Sequence, residues 1–202
     1  GDSSSSIFSS PEVKLEDHTV YRLEMRGTVV EQATEYNPFA DFMQEMPFGA
    51  GNYEQTVGLD QLISNIRLAK TDDKIQGIYL DGGALQIGLA SARALRNELA
   101  DFKQSGKFLI AHADHYGELN YYIASVADKV YISPVGELDW HGFAAVKLYY
   151  PRLMEKLGIK MNVLKVGTFK SAVEPYFCTK MSDADKTQTL QYISTAWDVV
   201  CQ

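Results

Sequence analysis

One lysine stands between two backbone breaks in Gly167-Thr168-Phe169-Lys170-Ser171-Ala172-Val173-Glu174-Pro175-Tyr176. Gly167 permits a sharp exit from the apolar run at 161–166, and the Glu174-Pro175 step predicts a second, extended break. Two hydroxyls, Thr168 and Ser171, flank Lys170. A lysine amine acts as a general base only when neutral, and neutrality needs burial, which disfavours the ammonium. A short, largely apolar loop could supply that burial. The competing reading is a solvated charge, the ordinary state of a lone loop lysine. Glu174 sets a further condition. A carboxylate beside Lys170 would favour the ammonium, so a base role requires Glu174 to face another cation or backbone N–H groups.

Other groups offer weaker chemistry. Asp81-Gly82-Gly83-Ala84 is expected to follow a strand and precede a helix, where glycine N–H groups can face an anion as in an oxyanion hole. Most such glycine pairs are plain turns. His112-x-Asp114-His115 offers two imidazoles and a carboxylate, but in a strand the two histidines face opposite sides and no fourth ligand is evident. No metal or organic cofactor is expected. A nucleophile is harder to find. No G-x-S-x-G elbow occurs. Ser125 reads as a helix-packing hydroxyl, and Ser171 is expected to point away from its neighbour Lys170.

The lysine loop resembles that of the bacterial signal peptide peptidases of the protease IV type, the SppA family. Two further stretches carry the resemblance. Asn120-Tyr121-Tyr122-Ile123-Ala124-Ser125-Val126-Ala127-Asp128-Lys129-Val130-Tyr131 is similar to the family's Q-Y-Y-L-A-S-x-A-(D/N)-K-I segment. Asp139-Trp140-His141-Gly142-Phe143 is similar to its D-x-H-G-F stretch. The similarity runs from about Val20 to the chain end and matches the amino-terminal half of two-domain members. It implies a crotonase-like, or Clp protease-like, α/β fold. It also implies a Ser-Lys dyad with Lys170 as general base, and cleaved signal peptides as substrate. In the family's second domain the nucleophilic serine opens a helix in an A-S-G-G-Y context. That pattern puts Glu118 at the serine's place here, so the serine is expected in a carboxy-terminal domain outside this sequence. Gly82 and Gly83 then read as a degenerate oxyanion-hole pair and His141 as structural. The resemblance also implies homo-oligomers facing the periplasm or cell exterior, held at the bacterial inner membrane by an anchor outside this sequence. The alternative is a non-catalytic crotonase-like scaffold for assembly or peptide binding.

Composition is consistent with a folded domain. Of 202 residues 46% are hydrophobic, enough for a sizeable core, and the net charge is −7 without a basic block. That balance argues against nucleic acid as a partner. Cys178 and Cys201 form no C-x-x-C pair, and their pairing is left open. Neither a membrane-spanning run nor a signal peptide is evident. The opening Gly1-Asp2 with its serines, and the stop at Cys201-Gln202 within a predicted helix, read as cut points in a longer protein.

The elements that would position these groups alternate. Residues 1–17 read as a linker or arm, and 18–202 as one peptidase domain. A strand is predicted over 18–31, with Gly27 as a bulge or turn. Residues 32–57 form a long loop with an apolar cluster around Phe39, Phe42 and Met43, read as a contact surface between subunits. Helices are predicted over 58–70, 88–104, 117–127 and 143–157, and strands over 74–81, 108–113, 129–133 and 161–166. Ser182-x-x-Asp185 is a capping box opening the last helix. Such alternation argues for an α/β fold with a mainly parallel sheet. Its expected core is Ile78, Leu80, Leu109, Ile110, Val130, Ile132, Val163 and Leu164.

Overall fold

The computed structural model describes residues 15–32, 56–163, 167 and 170–201. Most of the expected arm and most of the apolar 32–57 loop lie outside the described residues. The chain divides into two compact units, Gly1–Trp140 and His141–Gln202.

The first unit is an α/β sheet domain. Its strands are β1 (Thr19–Val30), β2 (Thr56–Gly58), β3 (Ile75–Gln86), β4 (Phe108–Tyr116) and β5 (Lys129–Leu138). They lie in the order β2-β1-β3-β4-β5, every neighbouring pair parallel. Parallel neighbours need crossover connections, and three helices are present to make them: α1 (Leu59–Thr71), α2 (Leu89–Lys103) and α3 (Glu118–Ala124). The apolar spacing read in the sequence is the buried stripe: Leu62, Ile66 and Ala69 on α1, and Ala92, Leu95, Leu99 and Phe102 on α2. Each large side chain so buried contributes roughly 1.5–3 kcal/mol. Gly106, at φ 81°, follows α2 as the expected stop. Ion pairs join α1 to α2 on the outside: Arg67 forks onto Glu98 with both bonds at 2.9 Å, and Lys70 meets Asp101 at 2.6 Å.

Three strands outrun their expected ends, because chain polarity near a strand end does not stop ladder pairing. β3 continues five residues past Asp81, to Gln86, while β4 reaches Tyr116 and β5 reaches Leu138. The core also differs in part from the expected set. Ile78, Leu80 and Leu109 are buried, with Leu23, Met25 and Ile123 beside them. Ile110 is only half-buried, because successive residues of β4 face opposite sides and its neighbours Leu109 and Ala111 take the covered one. Val130 is half-buried and Ile132 is 42% exposed, since β5 is the terminal strand of the sheet.

The second unit contains α4 (Pro151–Lys156), α5 (Glu174–Phe177) and α6 (Asp183–Val200). The helix expected over 143–157 is confined to Pro151–Lys156, and 143–150 has no regular structure. Pro151 explains the difference. Proline lacks the N–H a helix interior needs, disfavours helical backbone in the residue before it, and suits a first turn. The expected strand over 161–166 is not seen at 161–163, where Val163 is half-buried; Leu164 and the rest of that stretch lie outside the described residues. No helix among the described residues is long and apolar enough to cross a membrane.

Candidate active site

Lys170 is exposed. The burial that a neutral amine would need is therefore not supplied by the described residues of this chain. Gly167 has φ 96°, the left-handed backbone its role as a sharp exit requires. Thr168 and Phe169 lie outside the described residues. After Lys170 the chain turns at once, with the Glu174 N–H donating to the Ser171 carbonyl at 3.0 Å. The extended break expected at Glu174-Pro175 is instead a one-turn helix, α5, with Pro175 in its first turn. Proline is tolerated there, and Glu174 is fixed by its side chain.

Glu174 is 2% exposed, and its carboxylate is held by Ser182. Ser182 donates its hydroxyl to Oε1 at 2.8 Å and its backbone N–H to Oε2 at 3.3 Å. The requirement that Glu174 engage a backbone N–H is thus met. Ser182 is also the N-cap of α6, its Oγ accepting from the Asp185 N–H at 3.1 Å, as the capping box predicted. The Asp185 side chain, 1% exposed, accepts from Lys147 Nζ at 2.5 Å. Burial alone would push the Asp185 carboxyl up, but the bond from the Lys147 ammonium brings it below its ordinary value. Lys147 lies 38 residues from Asp185 in sequence, and nothing in either local context announces the pair. From the same irregular stretch, the Tyr150 N–H donates to the Pro175 carbonyl at 2.7 Å. His141-Gly142-Phe143 lies against α6 through the edge-to-face contact of Phe143 with Trp197.

The remaining candidates lie in the first unit. Gly82 and Gly83 are not a turn between strand and helix; they sit inside β3 at a bulge. The register passes from Glu24↔Asp81 to Arg26↔Ala84, so β3 carries one extra residue there. Gly82 has φ 100°, and a Cβ on Gly83 would lie 2.1 Å from the His115 carbonyl oxygen. Close strand packing accounts for Gly83, and the left-handed backbone accounts for Gly82. His112 lies on β4 as expected and His115 on its continuation past residue 113, and no group of three His, Cys, Asp or Glu side chains among the described residues is placed to hold a metal ion. Glu118 is the first residue of α3, the position the serine pattern assigned to it. Ser125 caps the other end of α3 and donates to the Tyr122 carbonyl at 2.8 Å, a structural role. Cys178 and Cys201 are free.

Sequence reasoning passed over two residues of this region. Asn120, 8% exposed, locks α3 to β3: it accepts from the Leu85 N–H at 3.2 Å and donates to the Leu85 carbonyl at 3.0 Å. Tyr116 ends β4 with a buried hydroxyl that has no hydrogen-bond partner among the described residues. Burial pushes its phenol up to about 12. It lines a pocket of about 230 Å³ with Tyr121, Val130, Ile132 and Leu138.

A parallel sheet domain, a helix opening at Glu118, and the turn after Lys170 tied to the capped start of α6 occur here in that order along the chain. Residues 101–202, which contain the last two of these, match Peptidase family S49. The chain belongs to that family. S49 membership carries the crotonase-like α/β fold expected from the sequence. Similar proteins include Protease 4 of Salmonella typhi, 36% identical over 180 residues, which cover 87% of this chain and 28% of the relative. Protease 4 of Haemophilus influenzae is 29% identical over 177 residues, again 87% of this chain and 28% of the relative. The chloroplastic serine protease SPPA of Arabidopsis thaliana is 25% identical over 166 residues, 82% of this chain and 22% of the relative. This S49 chain thus spans between 22% and 28% of the length of these relatives.

Proposed function

We propose that this S49 chain is part of a serine-lysine endopeptidase that degrades cleaved signal peptides, and that it supplies the general base, Lys170. Its nucleophilic serine comes from a carboxy-terminal domain outside this sequence. In the reaction, Lys170 takes the serine proton as the hydroxyl attacks the peptide carbonyl, then returns it to the departing amine. The observation that carries the reading is the state of Glu174. The one carboxylate near Lys170 in sequence is bound by the Ser182 hydroxyl and N–H, as a lysine base requires. The exposed amine would become buried when the serine-bearing domain packs over the loop. The assembled protein is a homo-oligomer anchored at the bacterial inner membrane and facing the periplasm or cell exterior.

A second reading is favoured by one observation, the exposure of Lys170. On it, the chain is a non-catalytic scaffold for assembly or peptide binding. Lys170→Arg in the full-length protein separates the two. Arginine does not deprotonate at accessible pH, so a folded Lys170→Arg enzyme is expected to be as inactive as Lys170→Ala. Near-normal peptide turnover by that variant would end the base assignment in favour of the scaffold.

A further inference from the structure

Three chain segments meet just after Lys170. The turn closed by the Glu174 N–H on the Ser171 carbonyl begins one residue beyond the lysine. Glu174 ties that turn to the start of α6, through two hydrogen bonds from Ser182. α6 is tied in turn to the stretch before α4 by the Lys147–Asp185 pair, and that stretch returns to α5 through Tyr150 and Pro175. The links close a ring: turn, Ser182, Asp185, Lys147, Tyr150, Pro175 and back to the turn.

The ring contains two carboxylates that are almost wholly buried, Glu174 and Asp185. Buried carboxylates are costly unless each is hydrogen-bonded, and replacing a buried ionic set by apolar residues is often neutral or stabilising. Stability alone is therefore a poor account of them. What the two bonds from Ser182 to Glu174 and the one it accepts from the Asp185 N–H do supply is a fixed geometry, and a general base works only within hydrogen-bond reach of the proton it takes. The Ser182 hydroxyl donates in one direction and accepts in the other, so the cap of α6 and the anchor of the lysine turn are the same atom.

We infer that Glu174 and Ser182 are positioning residues for Lys170, holding the lysine turn in register with α6 so that the amine meets the nucleophile. The inference rests on the reading of Lys170 as the base. Its test uses the full-length protein and a fluorogenic apolar peptide. The variants are Ser182→Ala, Ser182→Thr, Glu174→Gln and Lys170→Ala, each assayed well below its unfolding temperature. Ser182→Ala is expected to lower kcat at least tenfold with KM within twofold of wild type. Ser182→Thr, which keeps the hydroxyl, is expected to recover kcat to within about threefold, since threonine also serves as an N-cap. Glu174→Gln leaves only one acceptor oxygen for the two Ser182 donors and is expected to lower kcat in the same manner; it stands in should Ser182→Ala fail to fold. A kcat within twofold of wild type in both Ser182→Ala and Glu174→Gln, with Lys170→Ala inactive, would overturn the positioning role alone. Turnover by Lys170→Ala would instead overturn the base assignment on which it rests.

Discussion

Asn120 and Leu85 hold each other through two hydrogen bonds, the asparagine amide matching both backbone groups of a residue 35 positions earlier. The contact joins the helix opened by Glu118 to the part of β3 beyond its bulge. Replacing Asn120 by alanine leaves a buried N–H and a buried C=O unpaired. That is expected to cost about 1–3 kcal/mol. A fall in the denaturant midpoint at unchanged m-value would show it. Asn120→Asp is expected to do no better, because a second acceptor then faces the Leu85 carbonyl.

Gly83 should tolerate no side chain. A Cβ there would stand 2.1 Å from the His115 carbonyl oxygen, a backbone atom that cannot swing aside. Gly83→Ala is expected to destabilise at or above the upper end of about 1–3 kcal/mol, the range for overpacking. At Gly82 the nearest atom would be 3.4 Å away, but φ of 100° strains any other residue. Thermal unfolding of the two variants should show Gly83→Ala as the worse.

Tyr116 should titrate late. Its phenol is pushed up to about 12, chiefly by burial. Ultraviolet difference titration should lose one late-ionising tyrosine in Tyr116→Phe. Because the folded value lies above that of the unfolded chain, the associated stability is intact below about pH 10. It is lost as pH climbs toward the folded value, so Tyr116→Phe should flatten the alkaline fall in stability over that window.

Asp185 should act in acid. Its folded value is depressed, so its ion pair contributes above the ordinary carboxylate range and is lost as pH falls through the lowered value. Asp185→Asn should therefore show a shallower loss of stability below about pH 4 than wild type. Lys147→Met leaves the carboxylate buried without its cation and is expected to cost roughly 1–3 kcal/mol near neutral pH. Denaturant melts across pH would register both effects.

Local signals in the sequence foretold local structure well. The apolar spacing of 58–70 and 88–104 gave α1 and α2 with their buried faces, because a single helical stripe against a sheet is a short-range pattern. The Ser182-x-x-Asp185 box gave a helix start to the residue. Misreadings arose where a neighbour in space decides the outcome. The glycine pair at 82–83 looks like a turn until β1 and β4 flank it, and Ile132 looks like core until β5 proves to be the last strand of the sheet. Pro151 was the exception, a local signal strong enough to overrule the helical spacing of 143–150. Of the candidate site, the lysine and the Ser182 cap of α6 were visible. The Lys147–Asp185 tie was not, since only folding brings those two positions together.

The sheet order has a consequence for synthesis. β1, β3, β4 and β5 are laid side by side in the order in which they leave the ribosome. Apart from β2, which pairs on the far side of β1, each newly emerged strand finds its neighbour already waiting at one advancing margin, with no gap to be held open for a later arrival. Parallel pairing is otherwise slow, because each rung must await a long crossover. Here those delays fall one after another and can run in step with translation, so the first unit can be assembled while the lysine turn is still unmade.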